Sequence, residues 1–192
     1  MKRLMSLAAG AVLGLASLTA HAETVKLAVT DLVGMEELQR EFGEFVKVLE
    51  EKTGDDIEFY PVTNRTAAVE ALRFKKVDFV MTGPAEYVVI KKRTNANIVV
   101  GFSRPDYFAT VITLSDSPYS SVKSLAGQKV AFGPVGSTSK HLGPMQALAD
   151  YNLGREEIDE IHTKITVGWE SLKRGDVAAV GMNHLNLSLI HI

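Results

Sequence analysis

Apolar positions along this chain recur with two periods, and their alternation predicts the architecture. Val25 to Val29 is a short apolar-rich run ending at Thr30-Asp31 and reads as a buried strand. Leu38, Phe42, Phe45, Val46 and Leu49 then fall three and four residues apart, the spacing of one helix face, and Thr53-Gly54 is the stop signal. The alternation continues with a strand at Ile57 to Tyr60, an amphipathic helix over Thr66 to Phe74 and a buried strand at Val77 to Met81. Pro84 opens a helix running through Tyr87 and Ile90, and the apolar run Ile98 to Phe102 closes this first unit.

A second unit begins near residue 108. Ala109 to Leu114 and Lys129 to Phe132 read as strands, with a polar turn and a short helical segment, Val122 to Leu125, between them. A Gly-rich loop leads into a helix ending near Tyr151-Asn152-Leu153-Gly154. A helix at Trp169 to Lys173 and a strand at Val177 to Val180 follow, while Arg155 to Thr166 shows no clear period. Helices alternating with short apolar strands predict an α/β protein with largely parallel sheets, divided into units 23–107 and 108–192. Residues 69–83 and 169–183 align without gaps, sharing Glu, Leu and two Val. Either a duplication or the shared grammar of α/β segments produces such an echo.

Composition narrows the class. Lys2 and Arg3, the apolar stretch Leu4 to Leu18 and the small-x-small run Ala20-His21-Ala22 predict a signal peptide over 1–22, cleaved near Ala22, and hence an exported protein. No later segment has the ~20 uninterrupted apolar residues of a membrane span. There is no cysteine, so neither a disulfide framework nor a lipidated cysteine is available. Residues 23–192 carry 19 Lys and Arg against 23 Asp and Glu, a net charge of −4. An acidic chain without a basic cluster is not a nucleic-acid binder, so an anionic ligand must be held by local donors. The sequence stops at Ile192, just after a predicted strand and with no helix to cover it, and reads as truncated.

The richest chemistry lies in Phe132-Gly133-Pro134-Val135-Gly136-Ser137-Thr138-Ser139-Lys140-His141-Leu142, between a strand and a helix. Three hydroxyl residues at a helix start, beside unpaired backbone N–H groups and the positive end of the helix dipole, make an anion site from neutral groups. The plainer alternative is that Ser137 or Ser139 only caps the helix. Gly133 and Gly136 favour close approach of backbone to a ligand, and Pro144 leaves the helix start anywhere from Ser139 to Gly143. The loop is not a P-loop, because Lys140 is displaced from the Gly-Lys-Ser/Thr position. Ser137 and Lys140 match the S-x-x-K of penicillin-binding enzymes, and Lys52-Thr53-Gly54 mimics their K-T-G. Its order and its place at a helix end are wrong for an exported serine enzyme.

In the first unit Thr82-Gly83-Pro84-Ala85-Glu86-Tyr87 stands where a strand turns into a helix, the usual ligand position in open α/β sheets. Tyr87 either offers its hydroxyl to an oxyanion or packs on its own unit. Arg65, before the second helix, either meets an anion or is a solvated surface group. Thr30-Asp31 is similarly placed. The histidines at 141, 162, 184 and 191 show no metal-ligand spacing, so no metal is expected; His141 reads as a helix-surface residue and Trp169 as core.

These residues resemble the phosphonate/phosphite/phosphate substrate-binding proteins of ABC importers. The resemblance rests on Thr82 to Val88, on Val69 to Phe74 with Val77-Asp78, and above all on Gly136 to Pro144, which is similar to the family's S-T-S-x-[YH]-L-x-P element. It implies a two-lobed type II periplasmic-binding fold, hinged near Arg104 to Phe108, with the second lobe incomplete because family members are longer. It also implies a monomer that captures a small phosphorus oxyanion for an ABC permease, without cofactor or turnover. Ser137, Thr138 and Ser139 would hold the oxygens and Tyr87 and Arg65 would close from the opposite lobe, with His141 and Asn183 completing the expected set. Arg65 stands where an aromatic is frequent in the family, and Gly175-Asp176-Val177-Ala178-Ala179 departs from G-x-x-D-A, which removes the acidic partner expected for a ligand amine or P–OH. Sulfate or an organic acid is the alternative ligand.

Overall fold

The computed structural model describes residues 23–190, so the signal peptide expected over 1–22 lies outside the described residues. Two separate sheets form. The first is all parallel in the order β2-β1-β3, with β1 at Thr24–Val29, β2 at Asp56–Phe59 and β3 at Phe79–Met81. Parallel neighbours need crossovers, and α1 (Met35–Thr53) and α2 (Arg65–Arg73) supply them. Side chains alternate across β1, so Leu27 and Val29 pack with Leu38 and Val46 of α1, while Ala28 faces Ala68 and Ala71 of α2. Helix ends obey local chemistry. Gly54 takes the left-handed conformation (φ 79°) and donates to the Glu50 carbonyl, and the Asn64 side chain accepts the Ala67 N–H at 2.9 Å. A third helix, α3, spans Pro84–Thr94 with proline in its first turn.

The second sheet has the order β4-β7-β5-β6, from β4 (Ala109–Ile112), β5 (Lys129–Phe132), β6 (Asp159–His162) and β7 (Ala179–Asn183). β7 is buried along its whole length, antiparallel to β4 and parallel to β5. Val130 and Phe132 face Leu148 of α4 (Gly143–Ala149), whereas Ala131, Val180 and Met182 face Leu172 of α5 (Ile165–Arg174). Trp169 packs against that second cluster, partly buried.

One expectation is corrected, and two open readings are filled in. Ile98 to Phe102 forms no strand: Ile98, Val99, Val100 and Phe102 are all exposed, and no described strand pairs with them. The segment without a period, Arg155 to Thr166, contains β6, an edge strand whose pattern is too polar to announce itself. The helix after the Gly-rich loop begins in two stages. Thr138–Leu142 makes a wide turn in which the Gly143 N–H reaches back five residues to the Thr138 carbonyl, and α4 then starts with Pro144 in its first turn, where its missing N–H costs nothing.

Candidate functional site

The C-terminal ends of β1, β3 and β5 and the start of α3 converge. After β1 come Thr30 and Asp31, and after β3 comes Thr82, whose hydroxyl lies 3.1 Å from that of Thr30. From the second sheet, the β5 strand opens into the Ser137-Thr138-Ser139 turn. The Thr138 hydroxyl crosses to the first lobe and accepts the Ala85 N–H at 3.1 Å, capping α3 from outside. A side chain of one lobe thus satisfies an orphan donor at the positive end of a helix in the other.

Each residue expected at the site has a definite place. Ser137 is only 2% exposed; its carbonyl accepts from the His141 and Leu142 N–H groups, and its hydroxyl makes no hydrogen bond among the described residues. Ser139 shares a 2.8 Å hydrogen bond with the Tyr107 hydroxyl. Tyr87 is partly buried on α3, with no hydrogen bond to its hydroxyl among the described residues. Asn183, buried at the end of β7, accepts the Asn186 N–H at 3.2 Å. Arg65 is held between two carboxylates, donating Nε to Glu86 Oε1 and pairing Nη2 with Asp31. Its guanidinium is therefore largely neutralised before any ligand arrives. A cavity of about 560 Å³ lies beside it, lined from both lobes by Asp31, Val33, Asn64, Arg65, Pro134 and Val135.

Two readings of the loop change. A Cβ on Gly133 would stand 2.6 Å from the Lys140 Cβ, so that glycine makes room for a lysine stem rather than for a ligand; Gly136 holds φ 83°, the left-handed turn that an L side chain disfavours. No hydrogen bond joins Ser137 to Lys140 among the described residues, so the S-x-x-K spacing does not assemble an activated serine.

His141 is not a surface residue: it is 1% exposed, turned inward beneath the loop. The Gly136 N–H donates to its Nδ1 at 2.9 Å, which places the ring proton on Nε2, 2.7 Å from Glu160 Oε1. His162 Nε2 lies 2.7 Å from the same oxygen and its Nδ1 2.8 Å from the Gly133 carbonyl, while Arg155 Nε holds the other Glu160 oxygen at 3.2 Å. The fold thus gathers side-chain ligand atoms of His141, from the turn after β5, and of Glu160 and His162, from β6, within 4.8 Å of one another, which sequence spacing did not foresee. A metal-bound histidine ordinarily donates its second nitrogen, and His141 accepts there instead. The trio reads as a brace that ties the loop to β6.

Burial, with the neighbouring His162, pushes the His141 pKa below its ordinary 6.5, although Glu160 opposes this. The unfolded chain then binds this proton more readily than the native one. The stabilising contribution is present above about 6.5 and is lost as pH falls from there towards the lower native value. Urea unfolding should show a midpoint that drops from pH 7 to pH 5, and His141→Gln should flatten that slope.

Sequence reasoning missed Glu86, Tyr107 and Glu160. Glu86 lay in plain view beside Tyr87, but only the fold shows that it is buried at 6% exposure. Buried polar side chains gathered where the lobes meet, with hydroxyls at a helix N-terminus and no serine-base pair, suit ligand capture rather than covalent chemistry.

Likeness to known proteins extends over most of the chain. Residues 32–186 match the family model described as ABC transporter, phosphonate, periplasmic substrate-binding protein. Phosphate-import protein PhnD of Mycolicibacterium smegmatis is 30% identical over 135 residues, 67% of this chain and 42% of that protein, so the chain spans less than half of that relative. PhnD1 from Prochlorococcus marinus, solved in complex with methylphosphonate, aligns with a TM-score of 0.71 at 21% identity over 86% of this chain and 65% of that one. The periplasmic aliphatic sulphonate binding protein SsuA from Escherichia coli aligns with a TM-score of 0.61 at 18% identity over 88% and 58% of the two chains. The fold is the two-lobed type II periplasmic-binding arrangement, and the chain belongs to the periplasmic substrate-binding proteins of ABC phosphonate transporters.

Proposed function

We propose that this protein captures a small phosphorus oxyanion, a phosphonate, phosphite or phosphate, between its lobes and presents it to an ABC permease from the periplasm, exported by the leader over 1–22. The observation that carries the reading is the Thr138 hydroxyl bridging to the Ala85 N–H, because it sets the Ser-Thr-Ser turn against the N-terminus of α3. Ser137, Thr138 and Ser139 supply donors from one lobe and the start of α3 with Tyr87 supplies them from the other. Arg65, already paired with Asp31 and Glu86, orients that wall more than it adds charge. His141 acts from beneath the loop, and Asn183 lies at the adjoining strand end. The hinge near Arg104 to Phe108 is tied to the turn through Tyr107 and Ser139.

A thermal-shift panel tests this with phosphite, phosphate, methylphosphonate, aminoethylphosphonate and sulfate. A ligand at one hundred times its Kd adds about 2.7 kcal/mol of stability. A raised Tm with a phosphorus oxyanion and none with sulfate is expected. A folded protein that shifts with none of the phosphorus ligands would sink the assignment and leave the Ser-Thr-Ser turn a helix cap.

A further inference from the structure

Glu86 presents an unfinished hydrogen-bond set at this same site. Its Oε1 takes the Arg65 Nε, while Oε2 is buried and has no hydrogen-bond partner among the described residues. A buried carboxylate oxygen is costly to leave unpaired. Glu86 is the third residue of α3, where a carboxylate can reach back to the N-cap N–H, yet that bond is not made. Ion pairing to Arg65 accounts for one oxygen only.

The free oxygen has a direction. A Cβ built on Gly83 would stand 2.8 Å from Oε2 and 3.3 Å from the Thr138 hydroxyl, so both atoms converge over the same bare Cα at the head of α3. Thr138 already accepts the Ala85 N–H and has its own proton to give. The spot therefore offers donors from the turn and helix start, and one acceptor from Glu86. An oxyanion with every oxygen ionised would set a lone pair against that carboxylate in a buried place. An oxyanion that keeps one P–OH would donate to it and accept from the rest.

Resting on the reading above, we infer that Glu86 is a specificity-determining residue: its Oε2 accepts the P–OH proton of a singly protonated phosphorus oxyanion, so the protein takes the monoanion and rejects sulfonates. Sulfonates match phosphonates in shape but carry no proton at neutral pH. The charged groups paired with Glu86 are Arg65 on α2 and, through it, Asp31 after β1.

Calorimetric titration of the full chain decides it, using methylphosphonate, its mono-O-methyl ester, which has one charge and no P–OH, and methanesulfonate, across pH 6 to 9. Methylphosphonate affinity should fall about tenfold per pH unit once the free ligand loses its second proton, as the competent fraction shrinks. The ester and the sulfonate should bind at least tenfold more weakly at pH 6. Glu86→Gln, whose amide can donate as well as accept, should flatten the profile and admit methanesulfonate. Should that variant fail to fold, the wild-type ligand comparison still decides. Methylphosphonate bound equally at all pH values, or methanesulfonate bound as tightly, would overturn the inference while leaving the phosphorus-oxyanion reading intact. No binding of methylphosphonate at any pH would overturn both.

Discussion

Phe132→Ala is expected to destabilise the protein by about 3–5 kcal/mol, among the largest effects of any single truncation here. The ring is fully buried at the end of β5 and belongs to the cluster of Leu125, Val130, Met145 and Leu148. It also supports the loop from below, its centroid 5.9 Å from the His141 ring and 6.2 Å from the His162 ring. Truncation leaves a cavity with β7 on one side and the His141 brace on the other, and neither can collapse without moving the Ser137 to Ser139 turn. For a chain of this size the cost corresponds to a Tm lower by roughly 6–20 °C. Ligand affinity should fall as well, because the turn loses its floor. Phe132→Leu keeps much of the volume and should cost clearly less. A melting temperature unchanged in Phe132→Ala would show that the cluster does not carry the second lobe.

Gly181→Ala is the second large effect. A single methyl added at the middle of β7 would stand 2.6 Å from Phe132 Cδ1 and 2.7 Å from Pro144 Cβ. Both neighbours are fully buried, and one is a rigid ring in the first turn of α4. Overpacking of this kind costs about 1–3 kcal/mol, against the gain of about 0.4–1 kcal/mol that Gly→Ala brings where space and backbone allow. Gly101→Ala is the matched control, since nothing lies within 4 Å of its added methyl. Chemical denaturation of the two variants should give opposite signs or, at the least, a clear gap. Equal midpoints would mean that α4 is free to move off the sheet.

Much of the fold was legible because it is written in local chemistry. The face of α1, its stop at Gly54, the proline start of α3 and the whole of β5 follow from apolar spacing and from Gly and Pro preferences, which act over a few residues. β6 was not legible, since Asp159-Glu160-Ile161-His162 is an edge strand defined only by pairing with β5. Ile98 to Phe102 misled in the opposite sense, because an apolar run becomes a strand only when a sheet edge is available to it.

The candidate site divides in the same way. The Ser-Thr-Ser turn and the Thr82 to Tyr87 segment were readable as a family resemblance and as strand-to-helix loops, so the sequence by itself determined the α/β class, the family and the two loops that make up the candidate site. It could not determine partners far apart along the chain. That Thr138 caps α3 across fifty-three residues, that Arg65 is neutralised by Asp31 and Glu86, and that His141 turns inward onto Glu160 were decided only by tertiary structure. The physical reason is that hydrogen bonds and ion pairs depend on distance and burial in space, whereas propensity and periodicity are set by neighbours along the chain.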